Sequence, residues 1–243
     1  MKKVFFMLAL CASVAVSAQV YQARVLDVDP MNLEKLKKAV AQKTQLYNNK
    51  PGAARFVTFQ ILTGPQANNL YRVQVAETIG DLDRAINPTE LAYWWKTTGK
   101  LHTPLANRIY TDNEAASLVP ENAEPMNHRR VLFYKLIPGK ENHFWRYRTR
   151  LVKALAAANW PNRVQVLNCQ SGCNGSWVQV RYYHKNFAGE AEDNSMFGKV
   201  VEAYDELYGE DAYEDDSANL AASVSENITH HQRMLPEASS NWE

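Results

Sequence analysis

The chain repeats its own pattern at a spacing of 108 residues, and this repetition constrains its fold more than any other feature of the sequence. Pro30 and Pro138 follow two similar β-rich runs and lie 108 positions apart. Arg55 and Arg163 have the same spacing, so the alignment between these pairs needs no gap. A repeat of this length predicts two structural units of about 100 residues that share one architecture.

The first unit has the pattern of a strand, a helix, two strands and a further helical region. Residues 20–28 are β-rich, and Pro30 begins a segment in which apolar residues recur at three- and four-residue steps, as on one face of a helix. Residues 56–62 and 70–76 are two further β-rich runs. We predict helix for most of residues 79–116, with breaks at proline and glycine.

The second unit repeats this order. A strand is predicted at 130–137, an amphipathic helix around Phe144, and two strands at 164–167 and 177–183. Helices follow at 195–207 and, after an acidic loop, at about 218–230. We therefore predict an α+β fold of two tandem ferredoxin-like β-α-β-β-α units, packed sheet to sheet as an internal pseudo-dimer. The units are residues 19–121 and 129–243, joined by a linker at 122–128.

In its element order and its proline-then-amphipathic-helix openings at Pro30 and Pro138, the chain resembles the dimeric α/β-barrel superfamily. This superfamily includes antibiotic-biosynthesis-type monooxygenases and the NIPSNAP proteins. The resemblance covers nearly the whole chain after residue 18 and implies the fold. Members range from oxygenases and haem enzymes to proteins with no known activity, so the resemblance alone does not supply a function.

The N-terminus has the pattern of a bacterial-type signal peptide. Lys2 and Lys3 precede an apolar run, and small residues precede a predicted cleavage after Ala18. The apolar run is shorter than the ~20 residues that span a bilayer, and no later segment is apolar enough to do so. We expect an exported protein, periplasmic or secreted, without a membrane span.

Two cysteines, Cys169 and Cys173, remain after cleavage, and export predicts a disulfide between them in a turn. A redox-active pair is a less favoured alternative. Loss of Lys2 and Lys3 takes the basic residues from 27 to 25, against 26 acidic residues. This balance gives no general attraction to nucleic acid.

Candidate ligand-binding residues are aromatic, histidine and arginine side chains near the predicted helices: Trp94, Trp95, His102, His143, Trp145 and Arg146. Each also has a plain structural interpretation, as a core aromatic residue or a solvated helix face. None of the six histidines forms a helical metal-binding pattern, so no metal site is predicted. No cofactor is predicted either, with haem kept as an alternative because relatives of this fold bind it.

No catalytic motif is found in either unit. The main interpretation is therefore a non-catalytic exported protein that binds a small ligand or a partner between its units, as a monomer with an internal pseudo-dimer or as a homodimer. One alternative is a monooxygenase-like or haem-dependent oxidoreductase, which needs an apolar cavity with convergent polar groups. The other is a structural component of an envelope assembly, which predicts a large exposed apolar patch.

Overall fold

The strands of this chain close into a β-barrel. The computed structural model describes residues 19–85 and 87–241, so the predicted signal peptide at residues 1–18 lies outside the described part. Within that part, eight antiparallel strands form the barrel: β1 (Val20–Asp27), β2 (Arg55–Ile61), β3 (Leu70–Ala76), β4 (Thr103–Asp112), β5 (His128–Leu136), β6 (Val164–Ser171), β7 (Trp177–His184) and β8 (Val224–Met234).

The order of the strands around the barrel is β1-β3-β2-β8-β5-β7-β6-β4, and β4 pairs back onto β1. The pairs β2–β8 and β4–β6 join the first four strands of the chain to the last four. The predicted α+β fold is confirmed. The prediction had the sheets of the two halves packed face to face, whereas in the structure the two groups of four strands join edge to edge. This closure leaves no unpaired edge among the described strands.

The α-helices of the described residues pack on the outside of the barrel: α1 (Leu33–Tyr47), α2 (Pro88–Thr98), α3 (Glu141–Ala157), α4 (Phe187–Ser195), α5 (Phe197–Tyr208) and α6 (Ala212–Ala222). α1 buries Leu36 and Val40 against Leu26 and Leu70 of the first half. The corresponding layer of the second half is larger and is filled by residues of α3, α5, β6 and β7: Phe144, Tyr147, Leu151, Val166, Val178, Val180 and Tyr204.

Two segments predicted to be helical form strands. Residues 103–112 are β4, and the second part of the helix predicted at about 218–230 belongs to β8, so His230 and His231 lie in a strand and not at a helix end. β8 pairs with β5 along nearly its whole length. Pairing with neighbours that are distant in sequence therefore outweighs local propensity in both segments, as is usual for strands.

One carbonyl group of the C-terminal segment binds three side chains of the first half of the chain. The Ala238 carbonyl oxygen accepts hydrogen bonds from Thr58 Oγ1 at 2.8 Å, Arg72 Nη1 at 3.1 Å and Thr44 Oγ1 at 3.3 Å. Arg72 is buried, and Thr44 belongs to α1. The last described residues therefore tie α1 to β2 and β3.

A disulfide joins Cys169 and Cys173, as predicted. It closes the turn between β6 and β7, where both sulfur atoms border the apolar interior of the barrel. Among the described residues, no helix has the length and apolar character needed to cross a bilayer.

Replacing Leu36 with alanine is expected to destabilise the fold by about 2–5 kcal/mol, because the side chain is fully buried and its removal leaves a cavity. Leu46→Ala is the matched control, since Leu46 lies on the same helix with 58 % of its surface exposed. That change is expected to stay within ~0.5 kcal/mol of the original chain. Urea unfolding measures both, and equal losses would contradict the packing of α1.

Candidate functional site

The interior of the barrel has an apolar belt at its middle. Successive residues of a strand point to opposite faces, so every second residue points inward. The buried inward residues of the belt come from seven of the eight strands: Tyr21, Ala23, Val25, Phe59, Ile61, Tyr71, Val73, Tyr110, Val131, Phe133, Leu167 and Trp177. The belt divides the interior into two ends.

One end of the barrel opens into a cavity of about 820 Å³. This volume lies within the ~300–1,000 Å³ of ordinary small-molecule sites. Strands of both halves and the segment at 119–127 contribute to the lining. The apolar part of the wall consists of Val57, Phe59, Val73, Val75, Met126 and Met234. We call this space the mouth cavity.

Two buried arginines, Arg129 of β5 and Arg181 of β7, line the mouth cavity, and each is 2 % exposed. Burial and the nearby charge of Arg181 lower the pKa of Arg129 to about 10, which leaves it a cation at neutral pH. Among residues 19–85 and 87–241, no carboxylate forms an ion pair with either guanidinium. Burying a charge without a counter-charge costs several kcal/mol, so this arrangement favours a bound anion.

Glutamine side chains orient the two guanidinium groups without neutralising them. Gln232 Oε1 accepts from Arg129 Nε at 2.9 Å and from Nη2 at 2.6 Å. Arg181 donates from Nη1 to Gln165 Oε1 at 3.1 Å and from Nη2 to Gln179 Oε1 at 2.8 Å. Because amide oxygens satisfy N–H groups but carry no net charge, the positive potential of the cavity persists.

Tyr183 is the titrating group of this cluster. Its hydroxyl donates to Gln165 Oε1 at 3.2 Å and accepts from Arg129 Nη1 at 3.4 Å. Burial raises the pKa of Tyr183, but the positive charges of Arg129, Arg181 and Arg163 outweigh burial and lower it to about 8. A phenol with this pKa exchanges its proton near neutral pH and can act as a base.

At the opposite end of the barrel lies a smaller cavity of about 220 Å³, lined by Tyr71, Tyr110, Trp177 and His230 among others. Burial, followed by the charge of Arg129, lowers the pKa of His230 to about 4, so its ring is neutral at pH 7. Its Nε2 lies 2.7 Å from Gln232 Nε2. The volume falls below the ~300 Å³ of typical ligand sites.

The structure places three of the predicted site residues at the end of α2. Trp94 is half-buried and lines a separate cavity of about 580 Å³, together with Lys43, Arg72 and others. His102 Nδ1 donates a hydrogen bond to the Thr98 carbonyl oxygen at 2.9 Å, and the His102 ring packs against Trp94. Trp95 is 55 % exposed. None of the three lines the mouth cavity.

The other three predicted residues lie on α3, in the second half of the chain. His143 is exposed, and Trp145 packs edge-on against Phe144. Arg146 Nε lies 2.9 Å from Oδ1 of Asp216 on α6, so its charge is already paired. The structure therefore does not bring the six predicted residues into one site.

Sequence reasoning missed the residues that line the mouth cavity, although a signal was present. In β7, Gln179, Arg181 and Tyr183 alternate with Val178 and Val180. Such alternation usually means a strand with one face in water. Both faces are covered here, because the closed barrel buries the polar face while the helices bury the apolar face.

Comparison with known proteins shows the fold. The sequence matches no protein-family profile and no curated protein. Among solved structures, an anthrone oxidase-like protein is 13 % identical, with 90 % of this chain and 92 % of that chain covered and a TM-score of 0.55. A candidate monooxygenase from Fusobacterium nucleatum is 9 % identical, with 90 % and 93 % covered and a TM-score of 0.58. A chlorite dismutase from Candidatus Nitrospira defluvii, in complex with imidazole, is 14 % identical, with 91 % and 92 % covered and a TM-score of 0.53.

These structures share the dimeric α/β-barrel fold and correct two predictions. The non-catalytic binding protein was the wrong main interpretation, because the neighbours are oxidase-like, monooxygenase-like and chlorite dismutase structures. They favour the oxidoreductase alternative. The prediction of no cofactor is also corrected, because chlorite dismutases are among the structural neighbours.

The cavities of the described residues do not fit haem. Haem iron needs an axial ligand, most often His or Cys and less often Met or Tyr. No described His or Cys lines the mouth cavity or the cavity beside Trp94, and the cavity that His230 lines, of about 220 Å³, is too small for haem. Met126 and Met234 line the mouth cavity, but Met ligates haem iron together with a His, which that cavity lacks among the described residues. The hydroxyls of Tyr21 and Tyr183 in the mouth cavity are engaged in hydrogen bonds. The layer between α3 and the barrel is filled by the apolar core described above.

Arg181→Met is expected to raise the pKa of Tyr183 from about 8 toward the ordinary value near 10, because a positive charge that stabilises the phenolate is removed. Ultraviolet difference absorption of tyrosinate during a pH titration measures the shift. Arg108→Met is the control, since Arg108 lies over Trp177 and does not contribute to the pKa shift of Tyr183. An unchanged titration in Arg181→Met would contradict the charge cluster.

The same shift sets the pH dependence of stability. Between pH 8 and 10 the unfolded chain holds a proton on Tyr183 that the folded chain has released. This group therefore stabilises the fold increasingly as the pH rises through that window, and its contribution is lost below about pH 8. Tyr183→Phe is expected to remove the contribution in urea unfolding measured across the window.

Proposed function

We propose that this chain is an oxidoreductase of the monooxygenase-like kind, which oxidises an acidic carbon of a small, largely apolar organic molecule bound in the mouth cavity. The observation that carries the proposal is the pair of buried, carboxylate-free guanidinium groups beside a tyrosine of lowered pKa. The likeness to an anthrone oxidase-like protein and to monooxygenase-like structures supports the same class of reaction.

The apolar wall of the mouth cavity and the two arginines bind different parts of the substrate. Phe59, Val73 and Met234 offer an apolar surface to the body of the substrate. The guanidinium of Arg129 lies 3.5 Å from the centre of the Phe59 ring, so the positive charge adjoins that surface directly. A substrate that carries a carbonyl or phenol oxygen can place this oxygen toward Arg129 and Arg181. Both arginines then bind the conjugate base more tightly than the neutral molecule.

Tyr183 supplies the base. Its phenolate takes a proton from the acidic carbon, and the electrons move to the substrate oxygen near the arginines as an enolate. Because positive charge lowers the pKa of Tyr183 to about 8, a useful fraction of it is ionised at neutral pH. The same guanidinium groups stabilise the charge before and after the transfer, so the site needs little reorganisation.

The oxidant is dioxygen, which accepts electrons directly from the substrate anion. In the overall reaction a CH₂ group becomes a carbonyl group. One atom of dioxygen enters the product, and the other leaves as water with the two hydrogens of the CH₂ group. The chain's own residues bind the anion, exclude water from it and hold the proton at the Tyr183 oxygen.

Anthrone is the test substrate, because its CH₂ group is acidified by its carbonyl and its oxidation gives anthraquinone and water. The chain is expected to form anthraquinone with one dioxygen consumed per product, and kcat/KM is expected to rise with pH through about 8. Tyr183→Phe is expected to lower kcat/KM by about 10²–10⁴-fold and to abolish this pH dependence.

Tyr182→Phe is the matched control, since Tyr182 faces the helices and hydrogen-bonds Arg148 rather than the mouth cavity. The Tyr182→Phe chain is expected to oxidise anthrone with the same kcat/KM as the original chain. Equal activity in the Tyr183→Phe chain, or turnover that is unchanged in Arg181→Met, would refute the assigned site. No turnover by a folded, unmodified chain across acidic carbon substrates would refute the proposed reaction.

We also propose that the chain is a tandem duplication, with units at 19–121 and 129–243 and a linker at 122–128. Support comes from the strand order, because the first half runs β4-β1-β3-β2 and the second half runs β8-β5-β7-β6. The narrower likeness to NIPSNAP proteins belongs to this hypothesis and rests on the same element order.

The barrel closes within a single chain, which favours a monomer with an internal pseudo-dimer.

We also propose that the protein is exported and that residues 1–18 are a signal peptide cleaved after Ala18. The Cys169–Cys173 disulfide supports it, because such bonds persist in oxidising compartments. Native mass spectrometry of protein from an export-competent host is expected to show a monomer that begins at Gln19. An intact Met1 in the recovered protein would contradict export, and a dimer mass would contradict the monomer.

A further inference from the structure

A second cluster of chemistry-bearing side chains lies on the outside of the barrel, away from the mouth cavity. β5 and β8 are neighbours in the barrel, and their outward faces carry His128 and His231. α4 covers this part of the sheet and places Glu190 over both rings. The exposed fraction of the side chain is 3 % for His128, 9 % for Glu190 and 20 % for His231.

The distances within this cluster suit one metal ion. Glu190 Oε2 lies 3.1 Å from His231 Nε2 and 3.7 Å from His128 Nε2, and one potential ligand atom of each residue lies within 4.8 Å of the others. A tetrahedral ion about 2.1 Å from each ligand holds its ligand atoms roughly 3.4 Å apart. The observed spacing therefore requires side-chain movements of only about an ångström.

Several polar atoms of the cluster lack hydrogen-bond partners among the described residues. These atoms are both ring nitrogens of His128 and Oε2 of Glu190. Buried polar atoms are nearly always satisfied, so each exception calls for a physical explanation. A cation between the rings would satisfy one nitrogen of His128 and Oε2 of Glu190 at the same time.

The surroundings hold the ligands in place. Thr63 Oγ1 lies 3.1 Å from His231 Nδ1, and an outer hydrogen bond of this kind fixes a ligating ring with its Nε2 toward a metal. The ring of Phe187 packs against His128 and His231, at 4.4 Å and 5.0 Å between centroids. Phe187 therefore shields the cluster, while the partly exposed edge of His231 leaves a path from solvent.

One charge opposes a cation. Arg130 Nη1 lies 3.4 Å from Oε1 of Glu190 and neutralises part of its charge. It contacts the other carboxylate oxygen, so Oε2 stays available to an ion. Removal of Arg130 should strengthen cation binding if the cluster is a metal site. It should not do so if Glu190 serves only to pair with Arg130.

We propose that His128, His231 and Glu190 form a binding site for a first-row divalent transition metal such as Zn²⁺ or Fe²⁺. Two imidazoles and one carboxylate are a ligand set that such ions prefer and that hard ions such as Mg²⁺ do not. Three protein ligands leave further coordination positions open to water or a small molecule. This inference does not depend on the proposed oxidation in the mouth cavity.

The test is equilibrium dialysis against Zn²⁺, with elemental analysis of the bound metal. The full chain is first treated with a chelator to remove metal and is not unfolded at any step. One Zn²⁺ per chain is expected, with a rise in thermal stability, and Mg²⁺ is expected to give neither. Glu190→Gln and His231→Asn are expected to weaken binding by at least ~100-fold, more than the loss of an outer-sphere partner. Arg130→Gln is expected to bind Zn²⁺ more tightly than the original chain.

Two variants control for adventitious surface binding. His143→Asn changes an exposed histidine on α3, and Glu192→Gln changes an exposed carboxylate on the same helix as Glu190. Both are expected to bind like the original chain. Circular dichroism confirms that each variant is folded. Equal Zn²⁺ binding by the original, Glu190→Gln and His231→Asn chains, or no binding by the original chain, would overturn the site.

Discussion

Backbone pairing of β2 with β8 and of β4 with β6 closes the sheet, and the chemistry of the molecule depends on that closure. An open sheet of the same strands would leave one face in water, with its arginines and glutamines solvated. Closure makes that face an interior, where water is largely excluded and electrostatic interactions are strong. The Ala238 carbonyl, bound by Thr44, Thr58 and Arg72, adds a second tie between the end of the chain and its beginning.

The interior separates apolar packing from charge along the barrel axis. The middle belt contains large apolar and aromatic side chains, while Arg129 and Arg181 lie toward the mouth with neutral glutamine acceptors. This division explains why Tyr183 has a lowered pKa even though burial alone would raise it. The helix-facing layer of the second half is filled by apolar side chains, so the large cavity that β5, β6 and β7 help to line is inside the barrel.

One pair of strands provides residues to both candidate sites. Arg129 of β5 is directly opposite Gln232 of β8, and both point inward to the mouth cavity. The preceding residue on each strand, His128 and His231, points outward to Glu190 of α4. Because successive residues of a strand alternate between faces, the register that aligns Arg129 with Gln232 also brings the two histidines together. A one-residue shift of that register would dissolve both clusters.

The sequence by itself determined the α+β class, the amphipathic helices α1 and α3 and most of the strands, and it predicted the Cys169–Cys173 disulfide that the structure contains. These features depend on local periodicity, helix-starting prolines and cysteine spacing, which act over a few residues. Only the tertiary structure decided that residues 103–112 and 224–234 are strands, because their partners lie elsewhere in the chain. It also decided the two candidate sites, since His128 and His231 lie 103 positions apart and Arg181 becomes buried only when the barrel closes.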